Sequence, residues 1–509
     1  MKEQQNLFDP VPRHRLEMFS KEELIEFYEV QQRVIGQFQK HIQKLEALNQ
    51  ELSQKHLLIE EQYITIKSKL FGRSSERSSR KPSDESGEKS KKKRVQLPSQ
   101  RYPNLPLIEK HITLDQLPSC RCCGSQMEDS GMTEDSEYLT KIPAQYYVVV
   151  QMRHKYRCGK CHSNIKTAPT VPRIKEGSSY SDAMVIDVAM SKYCDLIPIE
   201  RYAAIASRDG VKDLPTQSLI EGTHNLADLV EPSYNKVGVE VLESKLLNAD
   251  ETPQRMLEGD KKSNWFLWGF STARSSYFEC HDTRSGDVAS KLLIKSKCEY
   301  LVSDVYSGYN KAVRETNEVR GQMKLPSIVN VYCNAHARRY FRQAGDRFPK
   351  EAQFFTDQYE QIYKIENLAK GKPPNEVLEL RSQMKPYFKT IKDKCLADIA
   401  SYSDKSGVAR AMNYFLKNYQ GLTRYLENPE LPIDNNSQER LLRNPVIGRK
   451  TWYGTHSKRG AKTAAILFSL VESCKLNKIN PREYFKKLVQ DLHQGKPHYT
   501  PREYADLHK

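Results

Sequence analysis

The sequence contains no apolar run that approaches the ~18 residues needed to cross a membrane. Residues 1–10 are polar and lack the apolar segment of a secretory signal peptide. These absences argue against a membrane partner and predict a cytoplasmic or nucleoid-associated protein. In such a reducing compartment the 11 cysteines are not expected to form a disulfide framework, so their spacing is more informative than their number.

Acidic residues are in deficit. The chain has 64 Asp and Glu against 80 Lys and Arg, which gives a net charge of +16. A basic excess favours a polyanionic partner, of which nucleic acid is the commonest; a solvated basic surface is the alternative. The 509 residues, 38% of them hydrophobic, predict two to four packed domains.

Residues 1–71 are predicted to form an N-terminal helical segment. Between Ser20 and Phe71 there is no proline, and Gly36 is the one glycine. Apolar residues recur at every seventh position, which is typical of a coiled coil and predicts a homodimer or higher oligomer. These positions are Phe38, Leu45, Leu52, Ile59 and Ile66. The alternative is a surface helix that packs on its own domain. Residues 72–101, rich in Ser and Lys without an apolar period, are predicted to be a disordered basic linker.

Residues 102–175 contain two C-x2-C pairs, Cys120 with Cys123 and Cys158 with Cys161. Four sulfur ligands in two such pairs suit tetrahedral Zn²⁺. The spacing therefore predicts a zinc-binding domain with one structural zinc ion. Two unrelated buried cysteine pairs are the alternative.

Residues 176–236 are predicted to form three short helices. Ser181 or Asp182 would cap the first, Pro198 would begin the second, and Thr216 would cap the third. Short helices joined by a glycine-containing turn fit a helix-turn-helix DNA-binding region, and they fit a helical connector equally well.

Residues 237–345 change to a strand pattern with helical stretches between the strands, which predicts an α/β core. The predicted strands are 241–249, 265–270, 277–280, 300–303 and 328–332. Residues 346–430 then become helical and polar, and residues 431–509 are mainly helical as well.

Asp250 and Asp304 each follow an apolar strand. An acid in this position is unfavourable unless it lies in a cleft or binds a cation. Two such strands lying side by side would bring both carboxylates to one edge, where Mg²⁺ could bind for two-metal phosphodiester chemistry. Taken singly, each Asp also fits a turn or cap residue. A third acid, Glu439, opens a predicted helix, where Asn436 and Glu439 equally fit a capping box.

Several strings in the sequence resemble, in the same order, those of the bacterial insertion-sequence-66 family of Asp-Asp-Glu transposases. They are LFGRSSE at 70–76, ADET at 249–252, SDVYSGY at 303–309, CNAHARRYF at 333–341, DNNSQER at 434–440, GRKTW at 448–452 and GA at 460–461. The resemblance extends over nearly the whole chain and includes the N-terminal helix and the cysteine pairs. Asn248 stands where His is expected, and His456 where Gly is expected, which leaves substrate details open.

The resemblance implies a multidomain α/β protein with a ribonuclease-H-like catalytic core. Residues 237–345 and 431–509 would form that core, and 346–430 would be a helical insertion. The metal-binding acids would be Asp250, Asp304 and Glu439, which would hold two Mg²⁺ or Mn²⁺ ions. The implied reaction is cleavage of DNA at the ends of an insertion sequence, its terminal inverted repeats, and transfer to target DNA. Small accessory proteins of the same element are implied as further partners.

Further residues near these motifs are candidates for supporting roles. By the same resemblance, His336 is expected near the metals or the DNA. A satisfied structural histidine is one alternative, and zinc binding with Cys333, for which the sequence shows only these two ligands, is another. Trp452 is predicted to stack on an unpaired base, and core packing is its alternative. Four basic residues at near-helical spacing are predicted to contact DNA phosphates, with a solvated basic face as the alternative. They are Arg440, Arg443, Arg449 and Lys450.

Two other functions fit part of this pattern. A zinc-containing, non-enzymatic DNA-binding regulator derived from a transposase would explain the charge and the cysteines, but it would not need three acids. A metal-dependent nuclease without strand transfer would need all three, so the physical pattern alone does not separate it from a transposase.

Overall fold

The computed structural model describes residues 20–71, 97–112, 116–119, 121–127, 136–141, 144–160, 165–257, 264–404 and 406–508. The chain divides into two compact units, residues 1–140 and 141–509. No helix within the described ranges is both long and apolar enough to span a membrane. Residues 72–96 of the predicted linker lie outside the described residues.

In the first unit, helix α1 (Lys21–Phe71) is continuous over 51 residues, so the long N-terminal helix is confirmed. Ser20 and Glu23 cap its start reciprocally, because the Ser20 N–H donates to Glu23 Oε2 and the Glu23 N–H donates to Ser20 Oγ. Phe38 and Leu45 of the heptad pattern are 52% and 60% exposed. The helix α2 (Pro98–Arg101) is a single turn.

The second unit begins with a short hairpin, β1 (Lys155–Tyr156) and β2 (Lys166–Thr167), and continues into three helices. These helices are α3 (Asp182–Tyr193), α4 (Ile199–Arg208) and α5 (Thr216–Leu242). Ser181 caps α3 as predicted, since its Oγ accepts from the Met184 N–H. The prediction for Thr216 is wrong: Pro215 occupies the cap position and Thr216 is already helical. Helix α5 also continues through Pro232 into the segment predicted as the first strand.

A five-stranded sheet with the order β5-β4-β3-β6-β7 forms the centre of the unit. Its strands are β3 (Leu246–Arg255), β4 (Asn264–Ser271), β5 (Ser276–His281), β6 (Tyr300–Ser303) and β7 (Val329–Tyr332). β3, β4 and β5 are antiparallel neighbours, whereas β3, β6 and β7 are parallel. The parallel strands are connected through α6 (Asp287–Lys295) and α7 (Ser307–Gln322). This is the mixed α/β architecture that the strand pattern predicted.

Side chains alternate between the two faces of the sheet, and each face is covered by helices. Trp268 and Phe270 of β4 lie in a buried cluster with residues of α6 and α7. Leu267 of β4 and Phe278 of β5 belong instead to a cluster with α3, α5 and the C-terminal helices. The C-terminal helices are α13 (Asn436–Trp452), α14 (Lys458–Leu476), α15 (Pro481–His493) and α16 (Pro501–Leu507).

Between β7 and α13 the chain forms a helical region with an aromatic core of its own. Its helices are α8 (Asn334–Ala344), α9 (Pro349–Ala369), α10 (Pro374–Ser382), α11 (Lys385–Asp398) and α12 (Gly407–Thr423). Phe341 of α8 stacks on Phe355 of α9 with ring centroids 4.1 Å apart. Asn334 joins the start and the end of the region: its N–H and its side-chain amide both donate to the Ile433 carbonyl.

Candidate active site at the centre of the sheet

Strand register brings Asp250 and Asp304 together. The parallel pairing of β3 with β6 ends where Asn248 lies opposite Val302. Extending the same register by two residues brings Asp250 beside Asp304, which follows β6 directly. The prediction that Asp250 ends its strand is wrong, because β3 continues to Arg255 along its antiparallel partner β4. Asp250 marks the end of the parallel pairing instead.

The two neighbouring acids of β3 face opposite sides of the sheet, as successive strand residues do. Glu251 faces α7, where it accepts a 2.6 Å hydrogen bond from the Tyr309 hydroxyl and pairs with Arg284. The Arg284 guanidinium also lies over the Tyr306 ring. Glu251 and Arg284 therefore form a structural ion pair that Tyr306 and Tyr309 support, and Asp250 is the acid that faces the opposite side.

Glu439 lies in the first turn of α13, and Asn435 fixes the start of that helix. The Asn435 side chain, 1% exposed, donates to the Ala249 carbonyl and accepts from the Asn248 amide, both at 2.9 Å. The Asn435 carbonyl in turn accepts from the Glu439 N–H at 3.1 Å. Asn435 thus joins the helix that carries Glu439 to the strand segment next to Asp250. Asn248, where the family resemblance led us to expect His, takes part in this connection through its bond to Asn435.

The electrostatics of the site reflect converging negative charges. Burial raises the pKa of Asp250 well above its usual range, and the charges of Glu251, Asp304 and Glu439 raise it further. Burial also raises the pKa of Glu251, against the opposing effects of Tyr309 and Arg284. A buried group of carboxylates with this mutual repulsion fits a divalent cation, which would restore the ionised form of Asp250.

His336 and Arg339, both on α8, also lie close to the Glu439 carboxylate. His336 Nδ1 lies 3.6 Å from Glu439 Oε1, and an Arg339 guanidinium nitrogen lies 3.8 Å from Glu439 Oε2. Cys333, fully buried before α8, joins His336 and Glu439 in a group whose ligand atoms lie within 4.8 Å of one another. His336 therefore lies next to Glu439, and its role near metal ions or DNA stays a prediction.

Three of the four predicted basic residues lie on the exposed side of α13, whereas Arg449 lies toward its buried side. Arg440, Arg443 and Lys450 are exposed, and Arg449 is half-buried with a pKa lowered by its burial. The opposite side of the helix is buried in the core through Leu441, Leu442 and Pro445. The exposed side is available to a polyanion, and its contact with DNA stays a prediction.

Trp452 and Tyr453 differ in their surroundings. Trp452 is half-buried: it meets the Tyr193 ring edge-on with centroids 6.5 Å apart, and the Lys192 ammonium lies over the Trp452 ring. Tyr453 is 75% exposed and has a left-handed backbone with φ +62°. These contacts of Trp452 are typical of core packing, while its stacking on a base stays a prediction.

Of the four predicted zinc ligands, Cys123 and Cys158 are described and both are exposed. Cys120 and Cys161 lie outside the described residues. Gly124, directly after Cys123, has a φ of +75°, a conformation that favours glycine and that turns the backbone sharply.

Sequence reasoning missed two residues of the site, Asn435 and Arg339. Arg339 lies three residues after His336, a helical spacing that would have indicated a shared face. Asn435 is an ordinary helix-cap residue by its sequence, and its contact with β3 had no local signal.

Comparisons with known proteins agree with these features. A model described as "Transposase IS66 family" matches residues 177–463, and a model described as "zinc-finger binding domain of transposase IS66" matches residues 118–162. Among similar proteins of Sinorhizobium fredii, uncharacterized protein y4hP is 24% identical over 405 residues, which cover 75% of this chain and 71% of y4hP. Uncharacterized protein y4jD is 25% identical over 417 residues, which cover 77% of this chain and 79% of y4jD. The zinc-finger match supports a structural zinc ion, and since the first match spans more than half of the sequence, the chain belongs to the IS66 family of transposases.

Proposed function

We propose that this protein is a DNA transposase that cleaves and transfers DNA strands at a site formed by Asp250, Asp304 and Glu439. The observation that supports the proposal most is the strand register that brings Asp250 beside Asp304, with the helix of Glu439 joined to the same strand through Asn435. Carboxylates that repel one another inside a fold are stabilised by hard divalent cations, so two Mg²⁺ ions, or Mn²⁺ in their place, are the expected cofactors.

The metal ions would supply activation of water and stabilisation of the attacking and leaving oxygens. The protein chain itself orients the carboxylates that would hold these ions. The Tyr306 N–H donates to Asp304 Oδ1 at 3.0 Å and fixes that carboxylate, while Asn435 fixes the helix of Glu439. Arg339, beside the Glu439 carboxylate, and Arg440, exposed and next to Glu439 in the chain, would offer bidentate donors to the phosphates of a bound strand.

A ribonuclease-H-like core is part of the proposal. It is supported by the sheet order β5-β4-β3-β6-β7, with one acid on the central strand β3 and a second directly after its parallel neighbour β6. The aromatic helical region before α13 would then be the insertion that precedes the third acid.

The proposed partners follow from the same function. The basic side of α13 and the three helices α3, α4 and α5 would meet the terminal inverted repeats and the target DNA. The apolar seam of α1 would pair with a second copy, because joining two element ends needs at least two subunits. The accessory proteins and the cytoplasmic, nucleoid-associated location stay predictions.

The test is a cleavage and strand-transfer assay with DNA that carries the ends of the element, in Mg²⁺ and in Mn²⁺. Asp250→Asn, Asp304→Asn and Glu439→Gln keep the size of each side chain and remove its charge, so each is expected to abolish both products. Asp287→Asn is the matched control, because Asp287 is exposed and pairs with Lys311 away from the acids. Cleavage that persists in any of the three variants would remove that acid from the mechanism.

The same assay separates the competing functions. A transposase joins the freed 3′-hydroxyl end to target DNA, whereas a nuclease yields cut ends without joined products. A regulator binds the ends and yields neither product, with or without metal.

A further inference from the structure

Two polar atoms beside the proposed active site face each other without a bond. His336 Nδ1 and Glu439 Oε1 are 3.6 Å apart, beyond the ~2.7–3.2 Å of an ordinary hydrogen bond. Both atoms are buried, and neither has a hydrogen-bond partner in the part of the chain that the structure describes. Buried polar atoms left without partners are unfavourable, so the gap between them indicates a missing bound group.

The separation suits two ligands of a single ion. Zn–N and Zn–O bonds of ~2.0–2.2 Å in tetrahedral geometry leave their ligand atoms about 3.4 Å apart. Cys333 offers a third ligand, because its Sγ, a ring nitrogen of His336 and a carboxylate oxygen of Glu439 all lie within 4.8 Å of one another. Small adjustments of side chains that are still partly exposed, 23% for His336 and 29% for Glu439, would close the group around an ion entering from solvent.

The surroundings of Cys333 also suit a metal-bound thiolate. The Asn435 N–H donates to Cys333 Sγ at 3.2 Å. Burial raises the pKa of the Cys333 thiol, and a backbone donor of this kind opposes that effect and holds the sulfur in orientation.

We propose that Cys333, His336 and Glu439 bind a thiophilic divalent cation of the Zn²⁺ class, at a site separate from the Asp250–Asp304 pair. Thiolate and imidazole are good ligands for Zn²⁺ and poor ones for Mg²⁺, so the two sites select different ions. Since Glu439 serves both, an ion at the cysteine site holds Glu439 away from the other two acids and inhibits the enzyme. The inhibition rests on the proposed function; the binding does not.

Binding is tested on the full-length chain, loaded with Zn²⁺, freed of weakly held ions and analysed for zinc per chain. The C-x2-C module contributes equally to every variant. Cys333→Ser and His336→Gln are each expected to hold one zinc ion fewer than the unsubstituted chain. Cys298→Ser is the matched control: this thiol is equally buried, and a serine there keeps its hydrogen bond to the Tyr300 carbonyl. Equal zinc in the unsubstituted chain and in both site variants, with thermal unfolding intact, would overturn the proposal.

Inhibition is tested by adding Zn²⁺ to the cleavage reaction at constant Mg²⁺. Cys333→Ser is expected to need at least ~10-fold more Zn²⁺ than the unsubstituted chain and the Cys298→Ser control for half inhibition. The same half-inhibiting concentration in all three would refute the regulatory role. Lack of cleavage by the unsubstituted chain in Mg²⁺ alone would instead count against the proposed function, and the zinc content would still decide the site.

Discussion

Replacing Asn435 with alanine is expected to weaken the binding of a divalent cation at the proposed active site more than comparable substitutions elsewhere do. The Asn435 side chain is the buried connection between α13 and β3, with hydrogen bonds of 2.9 Å to Asn248 and to Ala249. Alanine removes both bonds and leaves the Asn248 amide and the Ala249 carbonyl without these partners. Glu439, one helical turn after Asn435, would lose its fixed position relative to Asp250.

The magnitude follows from these contacts. Removing one partner of a buried hydrogen bond costs about 1–3 kcal/mol for the group left unpaired, so the loss of both bonds costs roughly 2–6 kcal/mol. If about 1.4 kcal/mol of it appears as weaker binding of the divalent ion, the half-saturating Mg²⁺ concentration for cleavage rises about tenfold.

The assay is strand cleavage as a function of Mg²⁺ concentration, together with thermal unfolding. Asn477→Ala is the matched control, because the Asn477 side chain bonds Arg274 and the Ser473 carbonyl at the end of α14, away from the acids. Asn477→Ala should lower stability with an unchanged Mg²⁺ requirement. The reasoning is refuted if both variants lose similar stability and neither changes that requirement.

Three further predictions concern single features of the chain. Without divalent cations, the raised pKa of Asp250 lets the folded chain keep a proton that the unfolded chain releases, so the free energy of unfolding falls as pH rises above ~4. In denaturant unfolding with a chelator, the free energy of Asp250→Asn should therefore depend less on pH than that of the unsubstituted chain. Arg443→Ala and Lys450→Ala should each reduce the slope of log affinity against log salt for duplex DNA by about 0.9, and an unchanged slope would place those side chains off the DNA. Tyr453→Ala should weaken binding of single-stranded DNA by about 1–3 kcal/mol with stability intact, whereas Trp452→Ala should lower the free energy of unfolding by up to ~3 kcal/mol. The reverse result would make Trp452 the DNA-stacking residue and Tyr453 the packing residue.

Features that depend on local pattern were predictable from the sequence. The strand at 300–303 was predicted with its observed bounds, because a short apolar run followed by an acid and a glycine-containing turn has few other interpretations. Ser181 was predicted as one of two possible caps, since a serine before an apolar helix offers its hydroxyl to the first turn.

Features that depend on distant partners were not predictable. β3 extends beyond Asp250 through Pro253, a residue that weakens a strand signal, because pairing with β4 stabilises the extended backbone there. Helix α5 continues through Pro232 because its far end packs against the sheet through residues such as Val241. The link between Asn435 and Ala249 joins segments far apart in the chain, and no periodicity within either segment indicates it.

The hydrogen bonds of Asn334 to Ile433 have a consequence for how this fold can vary. The chain enters the helical region at Asn334 and leaves it at Ile433, and hydrogen bonds join these two residues directly. The position of Glu439 is therefore set at this junction and does not depend on the length of chain between the two residues. The helices that follow α8 in this region can therefore vary in number, or accept a fused domain at an exposed turn near Gly371, without altering the distances among the carboxylates, whereas α8 is retained because His336 and Arg339 lie beside Glu439.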